Sequence, residues 1–440
     1  MLAGALNSTR GAFLQGFLKL AVLKHTAWKW RIMNRSEVAA SLLPASACCL
    51  FLLASALSPS MAEAEAQKPM PEAATVAATS PGSSPAARDT NAAQSVAQSM
   101  AQEAQEDKED KGPAEGESTT TLRVSTNRAA QYRTIQQAVD AAPADGALIL
   151  IAPGTYREAV SITRPNIRLR GTGADPSQTV IVDDRNAGEN GGTLHSATVE
   201  ATGDGFRAEN LTLQNDFNRT HPQLYQGSQA LALMLTADRA VLRNVHLLGN
   251  QDTLYVGSKH CAAAPASAAT AAQASCPASR SYFSHCLIAG NVDFIFGDGD
   301  AVFDHCEIRS TAHSEGFLTA QSRNAPTQDS AYVFNHCTLT AEPGVANVYL
   351  GRPWRPYATV IYLNTEMGAH INPAGWREWH PGETHSLDTA CYAEYNSTGP
   401  GAHPGQRDPH ARQLTSAEAA KYQTKTFLAG SDHWDPAAVR

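Results

Sequence analysis

The sequence repeats one short phrase three times: Phe283-Ser-His-Cys286, Phe303-Asp-His-Cys306 and Phe334-Asn-His-Cys337. The copies begin 20 and then 31 residues apart, counted from position 283 to 303 and from 303 to 334. Looser copies occur at 206–213 and 241–248, and Gly, Asn and Asp separate the apolar, strand-sized pieces. Irregular strand-rich repeats of this size are typical of solenoids, in which each coil covers the next. We therefore predict an all-β fold, a parallel β-helix; the alternative is a β-sandwich, which would favour hairpins at regular spacing.

One short helix is expected before the strands. Thr134 and Gln137 have the spacing of a capping box, and apolar residues recur at helical spacing from Ile135 to Ala142. The buried-strand run Ala147–Ile151 follows and ends at a Pro-Gly pair. We predict a short N-terminal capping helix on a folded domain that covers 122–432, with 433–440 as a C-terminal tail.

The N-terminal quarter has a different composition. Residues 1–62 run from basic to apolar to small, the layout of a secretory signal peptide, and Met33 offers a second start. Residues 63–121 are rich in Ala, Pro and Ser, carry eleven acids against four bases and have no aromatic residue, so they predict a flexible acidic linker. We expect a secreted or periplasmic protein. The alternative is an outer-membrane or membrane-anchored form, because the apolar stretch is nearly long enough to span a bilayer.

The overall charge bears on the partners. The chain of 440 residues has 34 Lys+Arg and 42 Asp+Glu, a net charge of -8, which argues against a nucleic-acid partner. Hydrophobic residues make up 42% of the chain, enough for a large core and too many for a wholly disordered protein. We expect a monomer that acts on an uncharged or partly neutralised polymer.

The cysteines of the repeats invite a metal-site interpretation. Adjacent strand residues face opposite sides, so the His and Cys of one pair cannot easily reach one ion. Packing in a ladder, or a disulfide between neighbouring coils, is the simpler explanation, and Cys286 and Cys306 are the best-placed pair. Cys261 and Cys276 bracket an Ala/Ser-rich insert and are expected to close it as a loop, while Cys337 and Cys391 have no assigned partner.

Two further segments match each other and carry the same acid. Gly249-Asn-Gln-Asp-Thr-Leu-Tyr255 corresponds to Gly290-Asn-Val-Asp-Phe-Ile-Phe296. If they occupy equivalent places in stacked coils, Asp252 and Asp293 lie about 4.8 Å apart along the backbone. Two carboxyl groups that close titrate as a pair, and one retains a proton. This arrangement suits a general acid beside a nucleophile, although a turn ladder of Asn and Asp is the structural alternative.

Other side chains fit the same chemistry. The amides of Gln229 and Gln251 can donate to a developing oxyanion. Within Leu350-Gly-Arg-Pro-Trp354, Arg352 can pair with a carboxylate and Trp354 can offer an apolar face to a sugar ring. Tyr255 and Phe296, which match in the two copies, either line the same cleft or pack in the core.

These motifs stand in the order seen in one known family. Gly154-Thr-Tyr-Arg-Glu158, Gln229-Ala-Leu231, Gln251-Asp-Thr-Leu-Tyr255, Asp293-Phe-Ile-Phe-Gly297 and Leu350-Gly-Arg-Pro-Trp354 resemble the motifs of pectin methylesterases (pectinesterases). The sequence is similar to a bacterial member over about 122–432. The resemblance implies a right-handed parallel β-helix that hydrolyses the methyl esters of homogalacturonan, in pectin, with no metal and no cofactor.

The resemblance also implies roles for single residues. Asp293 matches the nucleophile, Asp252 the acid/base, and Arg352 the group that orients Asp293. Gln229 and Gln251 would stabilise the anionic intermediate. The substrate contacts that it implies, together with the aromatic pair expected in the cleft, are Trp354, Thr193, Gln229, Arg352, Tyr255 and Phe296.

Other activities remain as alternatives. They are an esterase or thioesterase that acts on another substrate, a pectate lyase, which usually needs calcium, and a non-catalytic carbohydrate-binding β-helix. No Gly-x-Ser-x-Gly pentad occurs, which argues against a serine esterase. The insert within 258–282 and the acidic linker depart from the family pattern, and the insert follows a coil that carries a candidate catalytic acid.

Overall fold

The computed structural model describes residues 120–224, 227–259, 278–311, 313–383 and 385–439. The predicted signal peptide, nearly all of the predicted linker and the Cys261–Cys276 loop lie outside these residues. Within them, no helix is long and apolar enough to cross a membrane.

Short strands dominate the described chain. The first twelve are β1 (Thr121–Val124), β2 (Ala147–Ile151), β3 (Gly154–Arg157), β4 (Val160–Ile162), β5 (Ile167–Gly171), β6 (Thr179–Asp183), β7 (Val199–Ala201), β8 (Arg207–Asn215), β9 (Leu233–Leu235), β10 (Ala240–Leu248), β11 (Leu254–Val256) and β12 (Arg280–Ser284). The others are β13 (Leu287–Gly290), β14 (Ile295–Gly297), β15 (Asp300–Asp304), β16 (Glu307–Ser310), β17 (Gly316–Gln321), β18 (Tyr332–Asn335), β19 (Thr338–Ala341), β20 (Val348–Gly351), β21 (Thr359–Leu363), β22 (Glu366–Met367), β23 (Cys391–Tyr395) and β24 (Arg412–Gln413).

The helices are few and short. They are α1 (Ile135–Ala141), α2 (Ala187–Asn190), α3 (Phe217–Thr220), α4 (Ser416–Ala419) and α5 (Thr424–Phe427). Single 3₁₀ turns lie at Pro176–Gln178, Thr193–His195, Ala420–Tyr422 and Pro436–Ala438.

The strands pair in parallel from one coil to the next. A seven-stranded sheet runs in the order β4-β7-β9-β11-β14-β17-β20, and the other seventeen strands form a second, bent sheet. Pairs such as β11 with β14 and β15 with β18 are parallel and in register. The fold is therefore the predicted right-handed parallel β-helix, and the β-sandwich alternative is wrong.

Helix α1 lies at the N-terminal end of the solenoid, as predicted. The Thr134 hydroxyl accepts from Gln137 N (3.2 Å), but the Gln137 side chain accepts from Arg133 N (3.3 Å), one residue before the expected capping-box partner. The Glu158 carboxylate accepts from Ile135 N and from Gln136 N, at 2.8 and 3.0 Å. Glu158, the last residue of the first family motif, thus attaches the helix to the first coils.

Aligned side chains form ladders inside the coils. The rings of Phe283, Phe303, Phe334 and Tyr362 stack in sequence, with centroids 4.6–4.7 Å apart. On the outer side, the rings of His285, His305 and His336 stack with centroids 5.4 and 5.0 Å apart, each at a positive φ of 52–53°. The repeated phrase therefore encodes an apolar ladder inside and an imidazole ladder outside.

The disulfide between Cys286 and Cys306 is wrong, and the ladder explanation is correct. Both residues are free thiols, and so is Cys337. Their Sγ atoms donate to Leu242 O (3.5 Å) and Phe283 O (3.5 Å), each in the preceding coil. Aligned side chains on parallel strands point the same way and stay one strand spacing apart, beyond the Cβ separation that a disulfide needs.

The C-terminal residues pack against the second sheet. Trp434 and Val439 contact a buried cluster that contains Val241 and Ile361. Arg280 donates to both Asp238 and Asp432, with its shortest bond (2.5 Å) to Asp432. Residues beyond 432 therefore continue the packed structure as far as the description goes.

Candidate active site

Asp252 and Asp293 occupy the same register position in neighbouring coils. Leu254 pairs with Ile295 in the adjoining strands β11 and β14, which aligns the two aspartates that precede these strands. Asp252 N donates to Val292 O at 3.1 Å. Both aspartates take a left-handed backbone conformation, with φ of 61° and 50°, which Asp tolerates better than most residues. This conformation lets the chain turn just before each strand.

The two carboxyl groups are buried together. Their residues are 9% and 6% exposed, and burial is the largest cause that raises both pKa values. The pKa of Asp252 lies well above the usual range because the charge of Asp293 adds to the effect of burial. The pKa of Asp293 is raised less strongly, since Arg352 opposes the effect of burial. Of the two carboxyl groups, Asp252 is therefore the one that keeps a proton more readily, and Asp293 is the one that ionises more easily.

Arg352 pairs with Asp293 through two hydrogen bonds. Nε donates to Oδ1 at 2.9 Å and Nη2 donates to Oδ2 at 2.7 Å. The remaining Nη1 donates to Trp379 O at 3.3 Å. This bidentate geometry fixes the plane of the Asp293 carboxylate and favours its ionised form.

The two glutamines lie in adjoining coils, where Ala230 N donates to Gln251 O at 3.2 Å. Gln251 immediately precedes Asp252, and its side-chain oxygen accepts from the Ser228 hydroxyl at 3.4 Å. That bond engages the carbonyl end of the amide, so the NH₂ end is the one that can donate to an oxyanion. Gln229 lies in the preceding coil, where its backbone carbonyl accepts from Ala187 N at 2.9 Å.

An aromatic row continues from the acids. Tyr255 and Phe296 are edge-on at 5.1 Å, and Phe296 and Trp354 are edge-on at 5.9 Å. Tyr255 and Phe296 are nearly buried, whereas Trp354 is half-buried. Thr193 begins a 3₁₀ turn, and the following residue of that turn, Leu194, packs against the cluster that contains Tyr255 and Phe296. Three of the predicted substrate-contact residues, Tyr255, Phe296 and Trp354, therefore belong to one aromatic cluster, and Thr193 adjoins a residue that packs against it.

Three neighbouring residues were not found from the sequence. The ring centroids of Phe317 and Trp379 lie 4.1 and 4.4 Å from Arg352 Cζ, and the guanidinium of Arg377 lies 4.9 Å from the Phe317 centroid. Trp376 and Trp379, a pair of tryptophans that follows the Arg-Pro-Trp motif, were the available signal for Trp379. Phe317 had none, because its position depends on the register of strand β17.

The described residues contain no group of three His, Cys, Asp or Glu side chains that could hold a metal ion. The His-Cys pairs of the repeats show why. His285 is exposed on the outer side of the coil, whereas Cys286 is buried inside it. The carboxyl, amide and guanidinium groups that the described residues bring together suit acyl transfer.

Comparison with known proteins bears on this arrangement. The family model described as pectinesterase matches residues 121–261 and 273–431, and the gap at 262–272 falls within the Ala/Ser-rich insert. A probable pectinesterase/pectinesterase inhibitor of Arabidopsis thaliana is 34% identical over 72% of this chain and 58% of its own length. Pectinesterase 31 of the same plant is 32% identical over 71% of this chain and 93% of its own length.

Solved structures agree with the fold. Pectin methylesterase from carrot has a TM-score of 0.62 at 30% identity, and the match covers 74% of this chain and 97% of the carrot chain. A pectin methylesterase mutant in complex with a hexasaccharide has a TM-score of 0.58 at 30% identity, covering 72% of this chain and 99% of that chain. Because the family model covers most of this chain and the solved structures share its fold, the chain belongs to the pectinesterase family.

Proposed function

We propose that this protein hydrolyses the methyl esters of homogalacturonan in pectin and releases methanol and free carboxylates. The observation that carries the proposal is the buried pair Asp252–Asp293, in which only Asp293 is held by Arg352. Family membership and the hexasaccharide bound to a related pectin methylesterase support the substrate. The alternatives, an esterase or thioesterase with another substrate and a carbohydrate-binding module, lack a comparable observation.

In the first half of the proposed reaction, the Asp293 carboxylate attacks the ester carbonyl carbon. The oxygen of the tetrahedral intermediate becomes negative, and the amides of Gln251 and Gln229 donate hydrogen bonds to it. Asp252, the protonated partner, gives its proton to the departing methoxide, so methanol leaves. The product is an anhydride between Asp293 and the galacturonate carboxyl group.

The second half regenerates the enzyme. Asp252, now ionised, accepts a proton from a water molecule that attacks the anhydride. Cleavage of the anhydride returns Asp293 as a carboxylate paired with Arg352 and leaves a free galacturonic acid group. Trp354, Thr193 and the aromatic row are proposed to hold the sugar rings against the acid pair.

The test measures methanol release from highly methylated pectin by the wild type, Asp293→Ala and Asp252→Ala. We expect both variants to lose nearly all activity while they keep the wild-type circular dichroism spectrum. Absorbance of unsaturated ends and viscosity are followed in parallel and should not change, because ester hydrolysis leaves the polymer chain intact. Full activity of either variant would refute the assigned roles, and unsaturated ends would indicate a lyase.

We also propose a secreted or periplasmic monomer without a nucleic-acid partner. The basic-apolar-small layout of 1–62 supports export, and the acidic composition of 63–121 supports a linker that separates the catalytic domain, about 122–432, from any retained anchor. N-terminal sequencing of the exported protein distinguishes cleavage from anchoring. Light scattering after size-exclusion chromatography tests the monomer. The bacterial origin stays a prediction.

A further inference from the structure

The guanidinium group of Arg352 contacts two aromatic rings and donates to three acceptor atoms. Its Cζ lies 4.1 Å from the ring centroid of Phe317 and 4.4 Å from that of Trp379. One edge donates twice to Asp293, and Nη1 donates to Trp379 O. A planar guanidinium held between two rings has little freedom to rotate out of the plane of its hydrogen bonds.

We propose that Phe317 and Trp379 form an aromatic clamp that keeps Arg352 in its bidentate pairing with Asp293, which makes both of them positioning residues for ester hydrolysis. The inference rests on the proposed role of Asp293 as nucleophile. It goes further by assigning function to two side chains whose action on the reaction passes through Arg352.

Phe317 is placed by the solenoid itself. Ile295 of β14 pairs with Thr319 of β17, so Phe317 lies in line with Asp293, one coil further on. Its ring stacks on Tyr349 at 5.4 Å. Phe317 is 3% exposed, so it supports Arg352 from inside the site without forming part of the surface that meets the polymer.

The guanidinium of Arg377 also contacts Phe317. It lies 4.9 Å from the ring centroid of Phe317 and 5.5 Å from that of Tyr349, and it pairs with Glu315 at 2.7 Å. The two arginines thus lie over the same ring, with centroid distances of 4.1 Å for Arg352 and 4.9 Å for Arg377.

Trp379 is held by its own loop. Trp379 N donates to Ser386 Oγ at 3.3 Å. The neighbouring Glu378 carboxylate accepts from Ser386 N at 2.9 Å and from Leu387 N at 3.2 Å. These bonds tie the chain just before the Trp379 carbonyl to residues 386–387, and the carbonyl that accepts from Arg352 and the ring that contacts its guanidinium belong to the same residue.

Loss of the clamp should act on the reaction in a defined way. Burial raises the pKa of Asp293, and Arg352 opposes this most strongly through its hydrogen bonds and also through its charge, so the opposition weakens when those bonds are lost. If Arg352 moves out of the carboxylate plane, Asp293 becomes harder to ionise and its attacking oxygen is less well oriented. We therefore expect kcat to fall and the acid limb of the kcat/KM profile to move to higher pH, with KM nearly unchanged for Phe317 variants.

The experiment compares Phe317→Leu, Trp379→Leu and Trp379→Phe by methanol release across pH. A matched control is Phe334→Leu, which makes the same change at a buried ring of another ladder. The two Leu variants at the clamp should lose about tenfold to hundredfold in kcat. Trp379→Phe should recover much of the loss because it restores an aromatic face. The control should melt earlier but keep the wild-type pH profile.

A double-variant comparison separates the clamp from general damage. In an Arg352→Gln background, Phe317→Leu should lower kcat no further, because Phe317 acts through Arg352. Two results would overturn the clamp and leave the proposed nucleophile in place, provided that Asp293→Ala is inactive. One is a loss of kcat that is additive in the double variant. The other is a wild-type pH profile in folded Phe317→Leu and Trp379→Leu proteins. Full activity of Asp293→Ala would instead remove the proposed nucleophile, and the clamp would fall with it.

Discussion

Replacement of Arg352 by Gln should change the pH dependence of the enzyme as well as its rate. Arg352 donates to both oxygens of a carboxylate that is 6% exposed, at 2.9 and 2.7 Å. Gln is uncharged and cannot reproduce this bidentate pairing. The variant therefore leaves Asp293 with the full effect of burial on its pKa.

The size of the effect follows from the geometry. An opposite charge in direct contact lowers a carboxyl pKa by about 1–3 units, and each unit corresponds to about 1.4 kcal/mol. Without Arg352, the pKa of Asp293 should rise further, because the main effect that opposes burial is removed. The acid limb of kcat/KM should then move up by about 1–3 pH units. The alkaline limb should move the same way, because Arg352 also lowers the pKa of Asp252.

The assay is methanol release from methylated pectin, measured at closely spaced pH values for the wild type and Arg352→Gln. Arg309→Gln, an arginine of β16 that pairs with Glu307 away from the site, is the control and should keep the wild-type profile. Partial recovery of Arg352→Gln at higher pH would measure the ionisation effect, and the remaining loss would measure orientation. A uniform loss with both limbs unmoved would refute the idea that Arg352 maintains the ionised nucleophile.

Three further predictions concern stability and thiol chemistry. Folding raises the pKa of Asp252, so the protein loses stability as pH rises from the pKa of this group in the unfolded chain towards its pKa in the folded protein. Asp252→Asn removes this loss, so it should raise Tm increasingly between pH 5 and 8 in thermal melts. An equal shift of Tm at every pH would contradict this. The pKa of His336 is lowered on folding, chiefly by burial and then by His305, so stability is lost as pH falls through the ordinary His range; His336→Asn should reduce that loss in melts at pH 5 and 7. Unfolded, non-reduced protein should react with iodoacetamide at Cys286 and Cys306, and peptide mapping that finds them linked to each other would be the contrary result.

The internal sequence repeats allowed much of this site to be predicted from the sequence. The matching segments around Asp252 and Asp293 predicted that two acids would align, and they do, because equal segments that precede paired strands take equal places in stacked coils. The Arg-Pro-Trp motif was recognisable for a different reason, because its functional groups lie within one short stretch of sequence.

The cysteines show where repetition misleads. Equal spacing brought Cys286 and Cys306 into line, which suggested a bond between them. In the coils, alignment on parallel strands keeps the two Cβ directions parallel, and each thiol donates to a carbonyl of the preceding coil. The direction of the side chains, which spacing does not contain, decided the outcome.

The amino-acid sequence by itself determined the solenoid, the pair of acids and the family, because strand periodicity and local motifs are properties of short stretches. The family resemblance also implied that Arg352 pairs with Asp293, but only the tertiary structure decided which aromatic rings lie against the guanidinium of that arginine. Asp293 and Phe317 are 24 positions apart, whereas Asp252 and Asp293 are 41 apart (317 minus 293 and 293 minus 252). Coils of such unequal length are aligned by the hydrogen-bond register of their strands, and this register cannot be predicted from the number of residues between two positions.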